Sequence, residues 1–573
     1  MVRRLTLKNF KSFRDQSFDF DAFGLLVGGN NSGKSTILQA LAIWQYCVDL
    51  FGSSSRQGSK GIQVVLPNFT ALPIPEFNLL WPDRTDRIYP KVGDKREQKF
   101  ILIHIGVSWL THAGESKVFD VELRYHSPQT MYAIPVGGWG LFNEVQSSGM
   151  PRMVYIPPFS GLEPMERALD PGPVRQQVGK GQPGSVLRNL LLQVVDRKHM
   201  HPRWDELADL VRLWFSVRLN QPIYDASSDV YITVEYEQNK KKYDIISGGS
   251  GFHQTLTLLA FYYGYDATTI LIDEPDAHLH VNLQRAVLDF CQRKSLEDGR
   301  QFLIATHAEA FIRGVAPEKI LSLLDHTPRK IDATETVVRA LAEITNEEIA
   351  DLRVWPFILY VEGESDERTL RAWAKACGAE SDMDRIRFRL MHGGNKGEMK
   401  RQAESHFQAL RQVVPAVRRL VLFDFDTQET AFHPPEENPI LVEWKRKNIE
   451  NYLLVPDAWK RVVELKGYGP LFDRGGIDRI DQFFVGENLT LPPGQSWRTV
   501  SASIFRVVDG KRLLFENDDS LFHQLRRMDP SVVIPREDVA RAMLPEEIHA
   551  DVHQFFDRLK RLIAQQEPDE SSS

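Results

Sequence analysis

An α/β protein built as two successive units is what the sequence predicts, on three observations. A strand-like run ending in Gly28-Gly29-Asn30-Asn31-Ser32-Gly33-Lys34-Ser35 opens an amphipathic stretch over 34–50, which reads as strand, loop, helix. A later series has the same alternation: FILYVE, a helix over 366–377, RIRFRLM, a helix over 399–413, then RLVLFDFD. That β-α-β-α-β order implies parallel strands with right-handed crossovers. The chain has 573 residues, more than the ~250–300 that one hydrophobic core organises.

The elements follow in order. LTLKNF and GLLVGG predict the opening strands. Residues 51–150 are rich in Pro, Gly and Ser and carry the strand patterns FILIHIGVSWL and VFDVELRYH, which predicts a β-rich insertion. Residues 160–220 turn helical, notably over 184–195 and 204–217, before strands return at DVYITVEYE and QFLIATH. A charged stretch containing Pro and Thr, 325–356, marks the boundary between a first domain at 1–345 and a second at 346–460. Residues 461–573 predict a mainly helical region that ends in ADVHQFFDRLKRLIAQQ and a disordered polar tail. There is no internal repeat.

Composition narrows the function classes. Cys47, Cys291 and Cys377 form no CxxC pair, which argues against a disulfide framework and a cysteine-rich zinc site. The segment MVRRLTLKNF turns polar too soon for a signal peptide, and no stretch approaches the ~18 apolar residues of a membrane span, so a cytoplasmic protein with no membrane partner is expected. A net charge of -7 does not advertise nucleic-acid binding, although a local basic groove is compatible with it.

Gly28 to Ser35 fits GxxxxGK[ST] in the strand-to-helix context that the pattern requires. Gly28, Asn30, Asn31, Ser32, Gly33 and Thr36 line the expected ATP loop, Lys34 offers its charge to the β- and γ-phosphates, and Ser35 offers a hydroxyl to Mg²⁺. The apolar strand TILIDE ends in Asp273, suited to the Mg²⁺ shell, and Glu274, suited to orienting or deprotonating water. Ser247, Gly249 and Ser250 sit in a glycine loop opening a helical pattern, where amides and hydroxyls can face an anion. His307 follows the strand FLIAT and is placed to meet a γ-phosphate, while His278 and His280 in PDAHLH are expected in packing or subunit contact.

In this order the motifs resemble the RecF, SMC and OLD branch of ABC ATPases, and LTLKNFKSFRD strengthens the likeness. The resemblance implies ATP sandwiched between two copies, with Ser247 to Gly251 as the signature loop, PDAHLH in the D-loop and His307 as the switch histidine. It leaves the Q-loop glutamine unassigned.

A second acidic set follows. Glu362 closes the strand FILYV, Ser365 is expected to cap the next helix, and LVLFDFD delivers Asp424 and Asp426 to the same carboxyl edge. Oxygen-only ligands suit Mg²⁺ or Mn²⁺. Arg385, Arg387 and Arg389 alternate along one strand and give it a basic face.

This pattern resembles the TOPRIM domain, and the resemblance implies that Glu362, Asp366, Asp424, Asp426 and Glu450 in KRKNIENYLL hold metal at a phosphodiester. Lys447 is then a candidate for charge stabilisation. An ABC-type ATPase joined to TOPRIM is similar to the OLD (overcoming lysogenization defect) family, which includes the Gabija nuclease subunit, while KNIENYLL resembles effectors of PARIS-type defence. The resemblance implies ATP and Mg²⁺ or Mn²⁺ as cofactors, a homodimer or higher homo-oligomer, a defence-system partner protein, and DNA cleavage in anti-phage defence. RNA stays open as the polymer, as does an architectural ATPase whose TOPRIM unit only assembles the oligomer.

Overall fold

A computed structural model describes residues 1–54, 61–92, 95–96, 98–111, 113–196, 203–324, 328–331, 333–391, 394–425 and 440–564. The polar tail expected to be disordered lies largely outside them. The chain divides into two units, Met1–Leu341 and Ala342–Ser573.

The first unit opens with β1 (Val2–Phe10), β2 (Phe13–Asp19), β3 (Phe23–Val27) and α1 (Lys34–Ser53). It continues through β4 (Ile62–Val65), β5 (Ile103–Leu110), β6 (Ser116–Ser127), β7 (Thr130–Pro135) and β8 (Met153–Ile156). The region 51–150, expected to be a β-rich insertion, supplies strands to the first sheet. β5, β6, β7 and β4 extend the β1–β2 hairpin into one antiparallel sheet of order β2-β1-β5-β6-β7-β4. The cause is burial: Leu5 and Leu7 of β1 pair with Val107 and Ile105 of β5, and all four are fully buried. On α1, Ile37, Leu41, Trp44, Val48 and Phe51 recur at helical spacing and share that core with Phe119 and Val121 of β6. Trp44 donates its indole N–H to the Phe119 carbonyl at 2.9 Å.

Helices α2 (Leu187–Asp196) and α3 (Arg203–Phe215) pack against α4 (Ser250–Gly264), so much of the helical segment at 160–220 beds the helix behind the glycine loop. Then come β9 (Thr269–Asp273), α5 (Val281–Glu297), β10 (Gln301–Thr306), β11 (Ile320–Ser322) and β12 (Arg329–Lys330). The second sheet runs β8-β9-β10-β3-β11-β12 and is parallel except at β12. β9 and β10 are buried along their whole length, as strands covered on both faces must be.

The second unit contains α6 (Asn346–Val354), β13 (Phe357–Val361), α7 (Glu364–Ala376), β14 (Arg387–Leu390), α8 (Lys396–Val413), β15 (Arg418–Phe423) and β16 (Leu441–Glu443). Its sheet is fully parallel, in the order β14-β13-β15-β16. Later come α9 (Pro456–Lys466), α10 (Arg536–Ala542) and α11 (Ala550–Ala564). These do not form a core apart from the sheet: Trp459, Val539, Val552 and Phe555 share one buried cluster with Leu359, Leu370, Trp373 and Leu422. The basic face expected on β14 is occupied. Arg387 pairs with Asp351 at 2.6 Å, Arg389 lies 3.7 Å from Glu348, and Arg385 stacks over the Trp355 ring.

Among the described residues no helix is long and apolar enough to cross a membrane.

Candidate functional site

Three strands bring the nucleotide motifs together. Val27 of β3 stands opposite Thr306 of β10, and Asp273 of β9 opposite Ala305. Parallel neighbours in this register deliver the Gly28 loop, the Asp273–Glu274 pair and His307 to one carboxyl edge.

The loop's glycines answer to space. Gly33 has φ +98°, and a Cβ there would lie 2.6 Å from the Phe13 ring; a Cβ on Gly28 would lie 2.5 Å from Ser32 Oγ. Asn31 is also left-handed, and both Asn30 and Asn31 are exposed at the tip. Helix α1 starts with no side-chain cap and no acid in its first turn, where Ser35 and Thr36 sit, leaving its amides for an anion. Lys34 is only 5% exposed, and its ammonium donates to the carbonyls of Gly28 and Gly29, both at 3.0 Å. Ser32 Oγ is buried without a hydrogen-bond partner. A desolvated cation resting on loop carbonyls, beside an orphaned hydroxyl, fits a phosphate group.

The acids complete this edge. Ser35 Oγ donates to Asp273 Oδ1 at 2.8 Å, and Glu274 places one oxygen 3.6 Å from Lys34 Nζ and the other 2.8 Å from His307 Nδ1. Glu274 has φ +50°, a conformation rare for a residue with a side chain and of the kind found at functional sites. Burial raises the Glu274 carboxyl above its usual range, with Lys34 and His307 opposing. Burial likewise raises Asp273, opposed by hydrogen bonds from Ser35 and Tyr155.

Sequence patterns missed three partners. Tyr155 donates to Asp273 Oδ2 at 2.8 Å from the end of β8, and Lys11, from the β1–β2 turn, donates to Gln39 at 2.5 Å. Asp276 is buried and accepts from the Thr306 hydroxyl. Glu274, Asp276 and His307 offer ligand atoms within 4.8 Å of one another, the only such group of three among the described residues. Asp276 lies within the same PDAHLH segment as His278 and His280. His278 and His280 are exposed, and His280 caps α5 by accepting the Asn282 N–H at 3.4 Å.

Ser247, Gly249 and Ser250 are exposed at the start of α4. The loop is held from behind: buried Arg188 donates to Asp244 at 2.6 Å, Asp244 accepts the Ile246 N–H at 2.9 Å, and His253 Nε2 meets the Ile245 carbonyl at 2.6 Å.

The second acidic set is arranged differently. Glu362 Oε1 accepts the Asp424 N–H at 2.8 Å, across the carboxyl ends of β13 and β15. Asp426 lies outside the described residues. Ser365 is not the cap expected of it: Gly363 is the N-cap, and Asp366 accepts its N–H at 3.0 Å. Glu450 is 2% exposed, and one of its oxygens lies 2.8 Å from Arg536 Nε on α10. Burial raises the carboxyls of Asp366 and Glu450, and the Arg536 charge opposes this in both. Three expected metal ligands are therefore engaged by protein groups, Glu362 and Asp366 by amides and Glu450 by a guanidinium, and the described acids of this unit do not converge as Glu274, Asp276 and His307 do. Lys447 pairs with Asp509 at 3.0 Å, with no hydrogen bond or ion pair to Glu362 or Asp424 among the described residues.

Comparison with known proteins agrees with the first unit. Residues 1–45 match a family described as "AAA ATPase domain", and residues 199–313 one described as "AAA domain, putative AbiEii toxin, Type IV TA system". No curated protein matches the chain. Similar solved structures include the SMC head domain from Thermotoga maritima, 15% identical, covering 56% of this chain and 94% of that one at a TM-score of 0.29. The Smc head domain bound to the C-terminal domain of ScpA from Pyrococcus furiosus is 13% identical, covering 60% and 98% at 0.35. The recombination mediator protein RecF-ATPrS in the RecFOR pathway is 13% identical, covering 58% and 98% at 0.33. These scores are too low to carry weight. The two family matches, together with a buried Lys34 folded into a glycine loop beside Asp273 and Glu274, identify a P-loop ATPase domain of the AAA type in the first unit.

Proposed function

We propose that this chain is an OLD-type nuclease of anti-phage defence, in which nucleotide state at the first unit gates metal-dependent cleavage of DNA by a TOPRIM-like second unit. The observation that carries the nuclease half is the Glu362–Asp424 contact at the carboxyl ends of two adjacent parallel strands. A cytoplasmic homodimer or higher homo-oligomer, working with a defence-system partner, belongs to the same proposal.

At the first unit Lys34 binds the β- and γ-phosphates, Ser35 and Asp273 hold Mg²⁺, and Glu274, steadied by His307, orients the attacking water. The exposed Ser247, Gly249 and Ser250 face the nucleotide of a second copy. At the second unit Glu362 and Asp424 are the ligands for Mg²⁺ or Mn²⁺. Bound there, the ion would activate water and stabilise the leaving oxygen of a phosphodiester.

The reading in which the second unit only assembles the oligomer draws on Asp366 and Glu450, both engaged by protein groups. One matrix separates the readings: plasmid or tRNA, Mg²⁺ or Mn²⁺, with and without ATP, native chain beside Asp424→Ala. Cleavage is expected to require Asp424 and to change with ATP; plasmid cutting supports DNA, and tRNA cutting moves the substrate to RNA. Absence of Asp424-dependent cleavage throughout would leave the architectural reading. A nucleotide response that survives Lys34→Ala would remove the gating.

A further inference from the structure

Lys396 is the first residue of α8, and its place there is hard to explain by helix formation. Asn395 caps the helix by accepting the Glu398 N–H at 3.0 Å, while the Glu398 carboxylate takes the Asn395 N–H at 3.3 Å. This reciprocal pair fixes the first turn, and side chains there lean back toward the helix start. A lysine at this end opposes the helix dipole, and a side chain only 6% exposed gives up the hydration that its charge prefers. Something specific holds it. Its ammonium donates to Glu443 Oε1 at the end of β16 and to the Phe425 carbonyl just beyond β15, both at 2.8 Å.

The Phe425 contact is the informative one. Asp424 is gripped on its amino side by Glu362, which accepts the Asp424 N–H, and the carbonyl of the following residue, Phe425, is gripped by Lys396. We propose that Lys396 is a positioning residue for the carboxylate site: it clamps the Phe425 carbonyl, one residue past Asp424, and thereby fixes the backbone that carries Asp424, with Glu443 as a counter-charge. This inference rests on the metal-binding reading of the second unit given above. Glu443 supplies the charge balance that lets a buried ammonium sit beside metal-binding carboxylates without leaving the pair ionically unmatched.

The sign of the effect separates positioning from simple charge. A lysine acting only by its charge would repel a divalent ion, so its loss would tighten metal binding. A lysine that aims Asp424 would, when lost, loosen it.

The test is a Mn²⁺ titration of the full chain followed by electron paramagnetic resonance, with native protein, Asp424→Asn, Lys396→Met and Lys396→Arg. The Asp424-dependent component is expected to weaken about tenfold in Lys396→Met, the range seen when partners of metal ligands are removed. Nucleotide binding at the first unit should keep its native affinity, and Lys396→Arg, which retains a charged donor, should lose less. If Lys396→Met does not fold, Lys396→Met combined with Glu443→Gln removes both charges of that pair and carries the same expectation. Unchanged or tighter Mn²⁺ binding in a folded variant overturns the role of Lys396 alone. A native chain with no Asp424-dependent Mn²⁺ binding overturns the carboxylate-site reading and this inference with it.

Discussion

The acids of the first unit and those of the second are held by different kinds of partner. Asp273 and Glu274 lean on Ser35, Tyr155, Lys34 and His307, several of which are themselves expected to meet phosphate or magnesium. In the second unit Asp366 caps its own helix and Glu450 lies against Arg536, contacts made by the fold itself. The first arrangement is poised to exchange protein contacts for ligand contacts. The second must release or rearrange contacts before all its acids can face one ion, because a buried carboxylate is not charged without a compensating partner.

The largest effect that bears on this contrast is expected at Lys34. Lys34→Ala removes the ammonium that rests on the Gly28 and Gly29 carbonyls, and phosphate release from ATP should fall roughly 10²- to 10³-fold. Mn²⁺ binding at the second unit should stay native. Turnover within a few-fold of the native chain would show that the loop does not act through this lysine.

Next is Arg536→Met, which leaves Glu450 buried with its principal counter-charge gone. Urea unfolding of the second unit should lose about 2 kcal/mol at pH 8. A carboxyl whose folded pKa lies above its unfolded value binds its proton more readily in the folded chain. Its stability contribution therefore falls as pH rises through that interval and returns as pH drops. Burial already raises Glu450, and the variant raises it further, so the deficit should shrink toward pH 5. A deficit constant with pH would place the cost somewhere other than Glu450.

The smallest effect is expected for Tyr155→Phe. Loss of its hydrogen bond to Asp273 should weaken Mg²⁺-nucleotide binding by about 1 kcal/mol, or roughly fivefold, read with a fluorescent nucleotide. Native affinity would mean that Ser35 alone orients Asp273.

Legibility in the sequence followed how local each feature is. The Gly28 loop, the strand ending at Asp273 and the histidine after β10 are short contiguous patterns, and parallel strands in register bring them together with no further information. Tyr155, Asp276 and Lys11 carry no such pattern, and neither does Arg188 behind the glycine loop. A serine before a helical run is a common cap signal, but at Ser365 the helix has already started, two residues earlier than expected, and Asp366 reaches back to Gly363.

By itself the sequence determined the chemistry available at each strand end: phosphate-binding glycines with Lys34, paired acids at Asp273 and Glu274, and Glu362 and Asp424 on parallel strands. Only the tertiary structure decided which of those groups are engaged. Strands β4, β5, β6 and β7 joined the sheet over α1, Arg536 came from 86 positions beyond Glu450 to lie against it, and Lys396 and Glu443 met beside Phe425. Such partners share no local periodicity, and their meeting depends on long-range burial, where a charge is kept only if another segment brings its match.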